Sequence, residues 1–350
     1  TKSGQTCGAP GRRGDCGSMR KLPPQIYLNI DISRYVNQFS RTGVIAKGHR
    51  VGTQTGLLAG RLHHHHHVWY TSLMDRTDLS HDVFGAPRVL VGMLHLPPLP
   101  GCPEASRDKP LGIDDLVAHV VGEAESYRAA GFTALMIENM HDRPYLRGRV
   151  GPETVAVMAA VGREVRKSVP LPLGVQVLAA ANREALAVAL ACGASFVRVE
   201  GYVFAHVADE GLIESDAGDL LRYRAAIGAE HIRVFADIKK KHSSHALTAD
   251  IDVAEMARAA EFALADGVII TGTSTGQPTS PNEVREAAAA VAIPVLVGSG
   301  IKADNIDRYP TAHGFIVGSA VKRGGDWRQP IDADQAGLLA DAFHALPQTA

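Results

Sequence analysis

Hydrophobic positions change character near residue 83 of the chain. From there on, short runs rich in Val, Ile and Leu recur: VLVGMLHL (89–96), ALMIEN (134–139), LGVQVL (173–178), FVRVE (196–200), RVFADI (233–238), GVIITG (267–272), VLVGSG (295–300) and GFIVGSA (314–320). Runs of this length and branching read as strands buried on both faces. Between them the apolar spacing lengthens to a helical period. It predicts helices over 113–130, 153–167, 183–191, 216–227, 253–265, 282–291 and 332–346, with a short one at 303–309. Gly131, Gly193 and Gly267 sit in the joints AAGFTAL, ACGASFV and ADGVII, just past three of these helices. Glycine there can take the left-handed conformation that ends a helix.

Strict strand–helix alternation, with strands too apolar to face water, predicts a parallel sheet covered by helices. Eight such units in roughly 265 residues match a single-domain α/β fold, the (β/α)8 TIM barrel. A doubly wound open sheet is the alternative, but no GxGxxG follows the first strand, where that fold places its dinucleotide turn. Residues 1–82 follow neither period and are expected to be an irregular lead, disordered or non-native, with the barrel spanning 83–350. The lead carries Arg12, Arg13, Arg20, Arg34, Arg41, Arg50 and Arg61 against Asp15 and Asp31, the basic, acid-poor balance of a mitochondrial presequence. Its five histidines at 63–67 look like a tag, with metal binding the other reading, and Met74 is a candidate natural start.

Strand parity adds candidate chemistry. Side chains alternate between faces, so in 233–241 Val234, Ala236 and Ile238 face the helices, whereas Phe235, Asp237, Lys239 and Lys241 face the barrel. Lys240 then falls on the helix or solvent side. Phe196, Arg198 and Glu200 point inward, as does Gln176; Val91 and Met93 share parity with His95. Asn139 ends the second strand, ahead of His141 and Asp142. Polar groups thus collect near the C-terminal strand ends, the rim on which barrels build active sites. An ion pair inside the barrel, such as Arg198 with Glu200, is the structural alternative.

The last two strands end in Gly298-Ser299-Gly300 and Gly318-Ser319. Small residues let backbone N–H groups approach an anion, and a following helix would add its dipole. Many barrels hold a substrate phosphate between these two loops. Thr271 and Thr275, after the sixth strand, add hydroxyls to the same sector.

The segments GMLHLPPLPGCP, IENMHDRPY, VRVEGYVFAHVADEGLI, ADIKKKHSSH, IITGTSTGQP, VLVGSG and FIVGSA, in this order, resemble the BtpA/SgcQ family from about residue 88 to 325. The resemblance implies a TIM barrel. It also implies a link to photosystem I accumulation through a cyanobacterial member, and to sugar uptake through the gene neighbourhood of an enteric one; animals have members too. It implies no assigned reaction. Several bacterial members carry Asn-rich text where this chain has Glu200-Gly201-Tyr202, a departure that points to the animal-like or a divergent branch.

Three functional expectations follow. The first is an enzyme on a small phosphorylated sugar- or nucleoside-derived metabolite. Gly298, Ser299, Gly300, Gly318 and Ser319 would hold the phosphate. Asp237 would act as general base and Lys241 or His242 as general acid, or Lys239 or Lys241 would form a Schiff base. His95, Asn139, Asp142, Gln176, Arg198, Glu200, Thr271 and Thr275 would bind substrate. The second is a non-catalytic factor for assembly or stability of a membrane complex. The third, less favoured, is a metal site of His95, Asp237, His242 and His245, although HSSH lacks helical ligand spacing.

Composition narrows the partners. The chain has 350 residues, 45% hydrophobic and 21% charged, with net charge -1, a balance that gives no reason to expect nucleic acid. No apolar run of about 18 residues predicts a transmembrane helix. Cys7, Cys16, Cys102 and Cys192 lack zinc or CxxC spacing and read as reduced thiols. No cofactor or metal is expected, and such barrels often pair as homo-oligomers. The expected location is cytoplasmic, or mitochondrial if the basic lead is native.

Overall fold

The computed structural model describes residues 80, 82–105, 111–272 and 274–347. Eight parallel strands close into a barrel: β1 (Val89–His95), β2 (Ala134–Glu138), β3 (Leu173–Gln176), β4 (Phe196–Val199), β7 (Arg233–Ile238), β9 (Gly267–Ile270), β10 (Val295–Val297) and β11 (Gly314–Val317). Register runs through every seam, and Val89 opposite Gly314 closes β1 onto β11. The helices are α1 (Ile113–Ala130), α2 (Pro152–Ser168), α3 (Asn182–Cys192), α4 (Ala217–Ala226), α5 (Val253–Phe262), α6 (Pro281–Ala290) and α7 (Ala333–His344). Where a short helix was expected at 303–309, only a 3-10 turn forms, Ile306–Arg308.

The period of two sorts the strands into two cores. Val234, Ala236, Ile238, Val197 and Val199 pack outward against the helices. Val91, Met93, Met136, Phe196, Phe235, Leu296 and Ile316 fill the barrel interior. Burying each of these side chains contributes about 1.5–3 kcal/mol. Phe84, on a helical turn before β1, closes the floor with its ring 5.2 Å from Phe196 and 5.7 Å from Phe235. Two glycines make the room: a Cβ on Gly174 would lie 2.4 Å from the Phe196 ring, and one on Gly267 2.5 Å from Phe235. Gly267 is therefore a packing glycine inside β9 rather than the expected helix cap. The left-handed residue after α5 is Leu264 (φ 65). Gly131 and Gly193 do cap α1 and α3, at φ 97 and 74.

The rim carries a small antiparallel sheet that periodicity did not announce. β5 (His206–Ala208) pairs with β6 (Gly211–Ile213) and with β8 (Ser243–Ser244), so the HSSH segment is bound to the loop beyond β4. Strands of two or three residues carry too few alternations to register as a pattern. Among the described residues, no helix is long and apolar enough to cross a membrane. Cys102 and Cys192 are free and buried. Cys7, Cys16, the 63–67 histidines and nearly all of the 1–82 lead lie outside the described residues.

Candidate functional site

Arg198 of β4 reaches across to Asp237 of β7. Its Nη2 and Nε both donate to Oδ2, at 2.8 and 3.1 Å, with the two side chains 4% and 0% exposed. A buried charge persists only when it is paired, so each of the two requires the other. Asp237 Oδ1 has no hydrogen-bond partner among the described residues. The pairing that parity suggested, Arg198 with Glu200, does not form.

Glu200, just beyond β4, is engaged elsewhere. Its Oε1 accepts from Gln176 Nε2 (3.2 Å), and its Oε2 accepts from the Ala180 N–H (3.0 Å) and lies 3.3 Å from Lys240 Nζ. Burial raises its carboxyl pKa against the pull of Lys240.

The KKKH turn breaks the parity on which the sequence reading relied. Lys239 takes a left-handed backbone (φ 52), as does His242 (φ 55). This twist sends Lys239 outward to Glu283 Oε1 on α6, 3.4 Å away and 30% exposed, and turns Lys240 inward to Glu200. Both assignments are thus reversed from expectation, because alternation holds only while the backbone stays extended. Lys241 still faces the barrel mouth, and its backbone N–H donates to Thr271 Oγ1. Burial, reinforced by the Arg198 charge, lowers its amine pKa. No ion pair to Lys241 forms among the described residues.

Glu138, which ends β2, was missed although it shares parity with Ala134 and Met136. Its Oε2 lies 3.6 Å from His95 Nε2, and burial raises its carboxyl pKa despite Lys241 and Arg198 nearby. Burial, with the Lys322 charge adding to it, lowers His95 to about 3, so the imidazole is neutral. His95 Nδ1 lies 3.4 Å from the Trp327 carbonyl, which places the proton there and leaves the Nε2 lone pair toward Glu138. A carboxyl of this kind retains a proton at a pH where free glutamate has lost it.

Two cavities of about 310 Å³ each open at the rim, and Glu138, Met140, Arg198, Lys241 and Thr275 line both. The first runs to the glycine turns, including Gly298, Ser299, Gly300, Gly318 and Ser319, with Lys302 at its edge. The N–H groups of Gly300, Ile301, Ser319 and Ala320 donate to no acceptor among the described residues. Ser299 is not free in this way: its Oγ accepts from the Gly272 N–H (2.7 Å) and donates to the Gln277 carbonyl (3.1 Å), building the turn. Only 3-10 turns follow the two glycine segments, so the helix dipole expected there is replaced by bare amides. Gly300 needs its φ of 70, and a Cβ on it would run into Gln277.

The second cavity reaches Gln176, Glu200, Lys240, His242, Tyr145 and Trp327. His242 Nε2 accepts the Thr275 N–H at 3.1 Å and lies 2.8 Å from its Oγ1, fastening the β9 loop to the KKKH turn. Asn139 and Asp142 line neither cavity. Asn139 accepts from the Leu178 N–H (2.8 Å) and donates to Asp142 Oδ2 (3.3 Å), holding the loop beyond β2. Asp237 and Thr271 lie behind Arg198 and Lys241 rather than on the cavity walls. His95, Asp237, His242 and His245 do not assemble: no group of three or more metal-ligating side chains occurs among the described residues. Beyond Glu138, the sequence reading missed Met140, Tyr145, Lys302 and Trp327, loop residues that no periodicity marks.

Fold and site together define a (β/α)8-barrel protein with a charged, two-chambered pocket at the C-terminal ends of its strands. The chain belongs to the BtpA family, whose family model matches residues 86–345. It is 46% identical over 250 residues to an uncharacterized mitochondrial protein of Caenorhabditis elegans, covering 70% of this chain and 89% of that one. It is 32% identical over 256 residues to the photosystem I biogenesis protein BtpA of Synechocystis, covering 73% and 87%. Among solved structures, the geranylgeranylglyceryl phosphate synthase of Thermoplasma acidophilum aligns at TM-score 0.49 and 13% identity, over 77% of this chain and 98% of that one. That likeness is one of backbone alone.

Proposed function

We propose that this protein is an enzyme that moves a proton on a small phosphorylated metabolite, with Lys241 and Glu138 as the transferring pair. The observation that carries this reading is their juxtaposition. An amine without an ion pair, its pKa lowered by burial, and a carboxyl whose pKa burial raises share the walls of both cavities. Lys241 in its neutral form would accept the proton, and Glu138 in its protonated form would return one to the substrate. Arg198, fixed by Asp237, faces the same junction and stabilises negative charge that develops there. The four unused amides and Lys302 offer the phosphate its donors at the far end of the first cavity.

The test is calorimetric binding of inorganic phosphate and simple phosphomonoesters to the wild type and to Lys302→Glu. Charge reversal should weaken binding at least tenfold, and equal affinity refutes the phosphate placement. Lys241→Ala should fold normally and lose turnover. Borohydride trapping of a carbonyl-bearing phosphate on Lys241 would instead favour an imine mechanism.

A second reading, a factor for biogenesis of a membrane complex, is supported by the name of the Synechocystis relative. It predicts that Lys241→Ala and Glu138→Gln still complement a deletion strain. For location, the name of the worm relative and the basic lead support the mitochondrion over the cytoplasm. A fluorescent protein fused behind residues 1–82 that stays in the cytosol would contradict this.

A further inference from the structure

We propose that the second cavity receives a planar nitrogen heterocycle, so that the ligand is of nucleoside-monophosphate type. The proposal rests on the reading of a phosphorylated substrate and names the other end of that molecule. Leu178, Ala179, Met140, Tyr145 and Trp327 give this cavity an apolar face, beside charged groups that include Glu200, Asp209, Glu210 and Lys240. The Tyr145 hydroxyl is already committed to the Met140 carbonyl at 2.7 Å. Such a face suits the flat side of a ring, with the polar groups left to meet its edge.

Trp327 is held in place rather than loose. The Arg143 guanidinium lies 5.1 Å from its ring centroid, and the His141 ring 4.7 Å away. A half-buried indole fixed beside an open chamber is a stacking platform, and every base has a π-face to lay on it.

The base of the cavity adds a direction. Gln176 is 1% exposed, and its Nε2 donates to Glu200 Oε1, a carboxyl drawn toward its ionised, purely accepting form by Lys240. Its Oε1 then has no donor among the described residues. Lys240 Nζ, held 3.3 Å from the other oxygen of the same carboxylate, lines the same cavity. One carboxylate thus sets an unpartnered acceptor and a donor side by side. The complement is a ring edge with an N–H next to a carbonyl or ring nitrogen. With the ring here and the phosphate at the turn amides, the sugar-like link lies over Glu138, Arg198 and Lys241.

The experiment is calorimetric titration of the full chain with ribose 5-phosphate, the four common ribonucleoside 5′-monophosphates and the corresponding nucleosides. At least one monophosphate should bind tenfold or more tightly than ribose 5-phosphate. Trp327→Ala should erase that difference while ribose 5-phosphate binding holds. Gln176→Met, which keeps the length of the side chain without its amide, should weaken the same monophosphate. The proposal is overturned if ribose 5-phosphate binds as tightly as every monophosphate, or if Trp327→Ala changes neither ligand. A nucleoside that binds as tightly as its monophosphate would sink the phosphate reading and leave the ring site standing.

Discussion

Removing the Asp237 carboxylate is the sharpest test of how the site is held. Asp237→Ala leaves the Arg198 guanidinium buried, with side-chain exposures of 4% and 0% before the change. Two hydrogen bonds to a charged group disappear, each worth about 1.5–3 kcal/mol net. The change also removes Asp237 Oδ1, an unpartnered buried acceptor whose presence costs about 1–3 kcal/mol. The balance is a loss of about 3 kcal/mol, the lower end of the range for breaking a buried pair. For a domain of this size that corresponds to a Tm lower by roughly 6–12 °C. Urea unfolding followed by circular dichroism on Asp237→Ala, Arg198→Met and the double variant measures it. The double variant should be more stable than the sum of the single losses by about 2 kcal/mol, since the neutral Met no longer needs a counter-charge. Asp237→Ala within about 0.5 kcal/mol of the wild type, or strict additivity, would refute the claim that the two hold each other.

Acid should weaken the fold through its histidines. Burial lowers His95 to about 3 and both His141 and His206 to about 4, so between pH 6.5 and 4 the unfolded chain binds protons that the native one excludes. Stability is therefore full above 6.5 and falls with pH by up to about 1.4 kcal/mol per unit for each histidine. His95→Gln should flatten that slope in urea midpoints taken at pH 7 and 5, and an unchanged slope would contradict the assignment. Asp216 runs the other way: burial raises it to about 6, its Oδ1 lacks a partner among the described residues, and the stability of its protonated form is lost as pH rises through 6. Asp216→Asn should add about 1 kcal/mol at pH 7, allowing for partial solvent access, and nothing below pH 4. Lys239→Ala, which removes a half-exposed pair with Glu283, should cost less than about 1 kcal/mol and spare turnover, whereas Lys241→Ala abolishes it. Equal losses from the two lysines would undo the division between them.

Much of this protein was legible along the chain. Strands buried on both faces cannot hide their composition, so the eight runs and their helices announced a barrel, and the BtpA/SgcQ resemblance agreed with it. Parity placed Arg198, Gln176, Asp237 and His95 inside the barrel, and it reaches Glu138 as well when carried one residue further along β2. Sequence by itself thus determined the architecture and the inward residues of each extended strand, because both follow from a local period of two. Only the tertiary structure decided the rest. At Lys239 the backbone leaves the extended region, so Lys239 and Lys240 exchange faces, a change that no pattern of apolar residues encodes. Tyr145, Lys302 and Trp327 come from loops without any period, and they meet the site only when closure of the barrel brings the ends of distant strands together. Likewise, the partner of Arg198 was settled by strand pairing, which lays β4 beside β7 and sets Arg198 against Asp237 rather than against Glu200, two residues on in sequence.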